Sequence, residues 1–403
     1  MKKPASITLI IFFLCSFQFL SSQNLTNNGS AITISEGATF TIEGNIIILS
    51  EVDIDNSGDI FVGGNWVNNA PVDIHMQENT GTVTFNGSLP QTIGGTSSTY
   101  FSKLKINQNT GLGSETYVSA LLGLTNAKLT LNDYSFFTQP GSQITGTGQN
   151  AYIIAEGEGL LMREVGELDV EFPVGTNTSY LPATLNNSGT PDNYGINVFG
   201  DVLDGGLTGI TISEIDNCVN NTWNITEEVL GGSDLSLTVQ WNGSDEGPLF
   251  DRGQSGIGHF TGGAWDPQDT SSATGAGPYS LTRAEITSLS AFAVGDINSP
   301  MVIKIVYNEQ EILLSQGWAG ISTYLDPVDP GVEEILAPVI SELIIMQNQT
   351  GMYWPGQGIN TLGSWETHTG YQIKMSGEIK LTITGTTEIN TTLNLSDDWN
   401  LIP

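Results

Sequence analysis

The stretch N-S-G-D-I-F-V-G-G-N-W-V-N-N (Asn56–Asn69), with N-T-G-T-V-T-F-N-G-S-L-P-Q-T-I-G-G-T-S-S-T-Y-F-S-K-L-K-I-N (Asn79–Asn107) after it, decides the fold. Apolar and polar residues alternate in very short runs: Ile60 and Val62, Val83 and Phe85, Leu104 and Ile106. Asn, Gly or Ser closes each run, which marks short strands that turn repeatedly. Similar rungs recur outside the stretch, from A-T-F-T-I-E-G-N-I-I-I-L (Ala38–Leu49) to A-K-L-T-L-N (Ala127–Asn132) and A-Y-I-I-A-E-G (Ala151–Gly157). Strands spaced by roughly 15 to 25 residues, with β-branched side chains inside and Asn or Gly at corners, predict a parallel β-solenoid over residues 24–160. An open antiparallel meander has the same composition and is the alternative.

The chain begins with Lys2 and Lys3, an apolar run from Ile7 to Leu14 that continues through Phe17 and Leu20, and then Ser21-Ser22. That order is a secretory signal peptide over residues 1–22, with an apolar part too short to span a membrane. Phe12, Phe13 and Leu14 lack the small residues that a lipidation signal at Cys15 would need. The expected mature chain is therefore secreted, extracellular or on the outer cell surface, with no integral membrane segment. Cys218 is then its only cysteine, so no intrachain disulfide forms and stability must come from sheet and core.

Without the two leader lysines, 11 basic residues fall to 9 against 43 acidic ones, a net charge of about −34. Such a surface repels phosphate backbones and anionic lipid, which excludes nucleic acid and membrane surfaces as partners. Extracellular surfaces, polysaccharide and the export machinery remain.

Residues 161–298 read as a β-sandwich. F-P-V-G-T (Phe172–Thr176) and F-A-V-G-D (Phe292–Asp296) bracket strand-like runs separated by Gly-, Asp- and Pro-rich turns, and Thr261-Gly262-Gly263 reads as the turn of a hairpin. Trp223, Trp241 and Trp265 fall in these runs: core positions in the plainer reading, a sugar-stacking platform in the functional one.

Residues 299–403 read as a small α+β module. Val332, Ile335, Leu336, Val339 and Ile340 share one helical face, with Asp329 as cap, Pro330 at the first position and Pro338 as the stop. Leu395-Ser396-Asp397-Asp398-Trp399 repeats the L-S-x-x-W of Leu314–Trp318, which predicts a second copy beginning where the sequence stops, hence a fragment of a longer protein.

The runs Gly64–Asn69, Gly81–Gly87, Gln91–Gly95 and Phe101–Asn107, leading to Phe172–Thr176 and Tyr180, resemble the N-terminal repeat region of large surface proteins from bacteria with a type IX secretion system. The resemblance covers nearly the whole mature chain. It implies an adhesin or matrix component rather than an enzyme, and the C-terminal sorting domain of that family is absent from this sequence.

Reactive groups are sparse. His75, His259 and His368 fall in three different segments, and no H-E-x-x-H, G-x-S-x-G, P-loop or dinucleotide-binding pattern occurs. Polysaccharide lyases on β-helices need a basic residue beside acidic calcium ligands. Here Lys103 and Lys105 alternate toward solvent. Asp53, Asp55 and Asp59 space oxygen ligands like the first half of a calcium loop, but the twelfth position is Gly64 instead of a bidentate acid. A solenoid corner is the preferred reading, with calcium the alternative; no other cofactor is implied.

The acidic surface predicts that divalent cations stabilise the fold modestly by relieving self-repulsion. Calcium and magnesium should each raise the melting temperature above a chelator control. Identical midpoints in all three would remove the expectation, and a micromolar response to calcium alone would mark a dedicated site.

Overall fold

The computed structural model describes residues 23–51, 54–76, 80–303 and 307–387. The expected leader at 1–22, Asp53 and the Leu395–Trp399 motif lie outside them. Two units are formed, one through Ile303 and one after it.

The first unit begins as a parallel β-solenoid of about 7 turns. One face is an 8-stranded sheet that runs from Leu25–Asn27 through Ile46–Ile48, Trp66–Asn68 and Gln91–Gly95 to Val174–Gly175, every neighbour parallel. A second and a third face are separate strands in the early turns, such as Ile54–Asn56 and Asp59–Val62. Later, single strands such as Thr99–Ile106 and Thr116–Leu124 cross the corner, with the register shifting between Phe101 and Lys103.

The alternation read from the sequence becomes columns of stacked side chains. Ile60, Val83, Leu104 and Leu122 are register partners in successive turns, and so are Ile42, Val62, Phe85, Ile106 and Leu124. All are buried. The corners are built as their composition implies. The Asn24 side-chain oxygen accepts from the Asn45 amide at 2.9 Å, Asn45 from Asn65 at 2.7 Å and Asn65 from Thr92 at 2.8 Å, so each asparagine fastens the turn that follows. At Gly58 a Cβ would come within 2.3 Å of the Ala38 carbonyl oxygen of the previous turn, which leaves room for glycine alone.

The solenoid has no gap after residue 160. Leu161–Val165, parallel to Phe136–Thr138 on one edge, pairs antiparallel with Asp192–Gly200 on the other. From there the same 14-stranded sheet continues through Cys218–Glu227, Ala291–Asp296, Ser255–Thr261 and Ala264–Asp266. A 4-stranded antiparallel sheet, Val170–Phe172, Ala183–Asn187, Leu235–Trp241 and Tyr279–Ile286, packs over this extension to complete the sandwich. One core runs from Ile34 in the solenoid to Val294 in the sandwich. The F-P-V-G run is the switch between layers. Phe172 ends a sandwich strand, Pro173 turns, and Val174–Gly175 is the last strand on the first solenoid face. The expected hairpin is present, with Gly262 and Gly263 at φ 61° and 86° in a two-residue turn of the kind that matches strand twist.

The second unit is α+β. Asn308–Leu314, Ile379–Thr387 and Leu325–Pro327 form one antiparallel sheet, and Gly317–Ile321, Tyr371–Met375, Leu343–Gln347, Met352–Trp354 and Ile359–Asn360 another. The helix is shorter than the sequence predicts, Val332–Leu336 with a 3-10 turn at Ala337–Val339, and the N-cap position falls to Gly331 instead of Asp329. Gly331 is still extended, bridged to Ser364, so the helix cannot begin earlier. The Asp329 carboxylate accepts from the Gly331 amide at 2.9 Å, ahead of the helix. Val332, Leu336 and Val339 reach the core, Ile335 packs at its margin, and Ile340 is exposed.

The stacked columns predict that Phe85→Ala, which empties a fully buried position between Val62 and Ile106, costs about 3–5 kcal/mol. Urea unfolding would measure it. A loss under about 0.5 kcal/mol, the size expected of an unremarkable surface change, would contradict the column packing.

Candidate functional site

The three sandwich tryptophans do not form a platform. Trp223 and Trp241 are 0% exposed and Trp265 is 9% exposed. Each indole N–H donates inward: Trp223 to the Leu181 carbonyl at 3.0 Å, Trp241 to Glu246 at 2.8 Å, Trp265 to the Leu203 carbonyl at 3.0 Å. Trp223 and Trp241 belong to the main core, and Trp265 to a smaller cluster with Cys218 and Met301. Strand alternation placed all three on inward faces, and their rings have no free face for a sugar. The sugar-stacking expectation is corrected on that ground.

Asp55 and Asp59 are exposed residues on either side of the Ser57-Gly58 corner, on strands of adjacent faces. Asp53 lies outside the described residues, among which no cluster of three or more metal-ligating side chains occurs. Lys105 is exposed and Lys103 half-buried on the outer side of Thr99–Ile106, whose Leu104 and Ile106 point inward.

The outer side of the second solenoid face carries a ladder of rings that the sequence reading missed. His75, Tyr100, Tyr117 and Phe137 are register partners in successive turns. Their ring centroids are 4.4, 4.0 and 4.5 Å apart, and in the last two contacts the ring planes are nearly parallel. The signal was in the spacing, Tyr100 to Tyr117 to Phe137, once the turn length is known. Stacking consumes the ring faces of Tyr100 and Tyr117, so the ladder braces the coil and shows solvent mainly ring edges. Burial, with neighbouring Tyr100, Glu115 and Asp73, raises the Tyr117 phenol, which stays protonated.

A concave site lies where solenoid and sandwich join. The outer surface of the 4-stranded sheet is a polar row, with Glu171, Thr184, Thr238 and Thr282 in register across it. The loop with Thr147 and Gly148, which follows the solenoid strand Gln143–Thr145, overhangs one end of this sheet; Gln149 beside it donates to the Asn242 side chain at 2.8 Å. The groove between them has a volume of about 330 Å³. Tyr180 donates to the Glu171 carboxylate at 2.8 Å, and burial together with that carboxylate raises its phenol. Arg163 donates to the Glu171 carbonyl and, at 3.4 Å, to that of Ser142. Burial disfavours its charge and the neighbouring Glu171 carboxylate supports it, so a positive charge lies beside the groove close to Glu171. The Gln240 and Thr184 side chains line the groove without a bond to another side chain. The second unit offers a further exposed ring, Trp318, with the Lys374 ammonium 5.5 Å from its centre.

His259 is a buried titratable group of the sandwich. Its ring stacks on Phe292 at 4.4 Å, and its Nε2 has no hydrogen-bond partner. Burial, reinforced by Arg283 and opposed by Asp266, holds its pKa down at about 4. Between about 6.5 and that value the unfolded chain takes up a proton that the folded chain refuses, so stability is lost as pH falls through this window and is unaffected by the group above it. The slope is at most about 1.4 kcal/mol per pH unit. His259→Phe, which removes the unpartnered nitrogen, should flatten the change in urea midpoint between pH 7 and pH 5; equal slopes in variant and parent would show that another group is responsible.

No family model matches this chain, and neither the curated proteins nor the solved structures compared with it include one that matches.

Proposed function

We propose that this chain is an exported, non-catalytic cell-surface or matrix protein, in which the solenoid and sandwich serve as a stiff spacer for adhesion. The supporting observation is the uninterrupted sheet and shared core from Ile34 to Val294. Domains joined by a linker move independently, whereas domains joined by a continuous hydrogen-bonded ladder transmit load as one body. The leader-like residues 1–22 and the resemblance to surface proteins of the type IX secretion route support the same reading, as does an acidic surface that stays soluble outside the cell.

The expected outcome is labelling of intact source cells by antibodies raised to the folded chain, together with weaker attachment of cells that lack it. Recovery of the chain only from the cell interior would overturn the reading. So would release of new saccharide ends when the purified chain is incubated with polysaccharide, since that is turnover.

A further inference from the structure

We infer that the groove between the Thr147–Gly148 loop and the outer sandwich sheet is a binding site for a neutral oligosaccharide. Its volume of about 330 Å³ lies at the lower end of small-ligand sites, about 300–1,000 Å³, and suits a short run of sugar rings better than a folded partner. A sugar presents adjacent hydroxyls on one side and C–H groups on the other. The groove answers the first with two planar groups, the Glu171 carboxylate and the Gln240 side-chain amide, with the Thr184 hydroxyl on the strand between them and the Ser280 hydroxyl, itself bonded to Thr274, on the strand beyond Gln240. It answers the second with the Pro182 ring and the Tyr180 side chain.

Two features hold the site ready. Tyr180 donates to one Glu171 oxygen, Oε1, and so fixes the carboxylate that lines the groove. Glu171 and Thr184 sit on paired strands in register, and Gln240 on the next strand donates its backbone N–H to the Pro182 carbonyl at 3.0 Å, so the lining side chains rest on a sheet instead of a loop.

Charge selects among saccharides. The groove is lined by a carboxylate and by no Lys or Arg, the positive charge of Arg163 beside it is balanced by Glu171 itself, and the chain carries a net charge of −32. A uronate or sulfated sugar would meet repulsion with no cation in the lining to offset it, and a neutral one would not. Binding by the purified chain is independent of where the chain resides, so this inference and the surface-spacer reading fail separately.

The test is titration of the whole chain with glucan, mannan and galactan oligosaccharides, with alginate oligosaccharides as the anionic comparison, followed by calorimetry and ligand-observed NMR. At least one neutral series should bind. Glu171→Ala and Gln240→Ala should each weaken it by about tenfold or more; Gln240→Ala should leave the melting temperature unchanged, whereas Glu171→Ala, which takes the acceptor from the buried Tyr180 hydroxyl, should lower it without unfolding the chain. Thr282→Ala, at the far end of the same polar row, should bind as the parent does. Failure of every neutral series to bind at millimolar concentration, preference for alginate, or affinity that survives both substitutions would overturn the inference.

Discussion

Everything in the first unit depends on one constraint: a parallel β-coil satisfies each strand only through the turns on either side of it. Every rung offers backbone N–H and C=O groups to the next and lays an apolar face against it, so a last turn with nothing beyond would expose both. The chain meets this at Leu161–Val165. That strand takes its parallel partner from the coil and an antiparallel partner from Asp192–Gly200, and the ladder continues into the sandwich. On the first face the coil ends differently, with Val174–Gly175 delivered by the Pro173 turn from the opposite sandwich layer. The sandwich is therefore the cap of the solenoid as well as its neighbour, and a shared core follows.

The same constraint explains the composition. Turns stacked at strand spacing bring corner backbones so close that Gly58 has no room for a Cβ beneath the Ala38 carbonyl. Corners leave amides unpaired by the sheet, and asparagine, with a short side chain ending in an acceptor, reaches the next turn. Asn24, Asn45 and Asn65 do this in sequence, and Asn109 does it for Lys128 at 2.9 Å. The described residues, which hold one cysteine, the buried Cys218, and no disulfide, are thus fastened by repetition. Burial raises that thiol to about 12, so it behaves as a small apolar residue.

Much of the architecture was legible because its periods are local. Ile60, Val62, Val83 and Phe85 alternate within their own strands, and Gly262-Gly263 specify their own turn. What the sequence hid was set at longer range. The division near residue 160 looked like a domain boundary because the pattern of rungs changes there, yet strand pairing changes sense at that point without breaking. The helix start was misplaced by two residues because a bridge from Gly331 to Ser364 outweighs the local capping preference of Asp329. The three tryptophans drew attention as aromatic residues among strands, but a ring is a platform only if its face is bare, and that depends on which layer covers it. The junction groove was invisible for the same reason, since Thr147, Glu171 and Gln240 are brought together only when the coil meets the sandwich.

The aromatic ladder and the groove show how the two kinds of surface divide the work. In a coil with in-register turns, like side chains on the outside come to lie one above another, and rings at 4.0 to 4.5 Å satisfy each other before any ligand arrives. The regular faces are therefore well suited to rigidity and poorly suited to recognition, which needs groups whose bonding capacity is not already used by their own neighbours. Such groups arise where the repeat ends. At the junction Glu171, Thr184 and Gln240 face a loop instead of another identical turn, and their hydrogen-bonding capacity is directed into a concavity. With a saccharide site at the junction, as proposed, recognition would fall where the periodicity breaks, while the periodic part supplies the rigid support beside it.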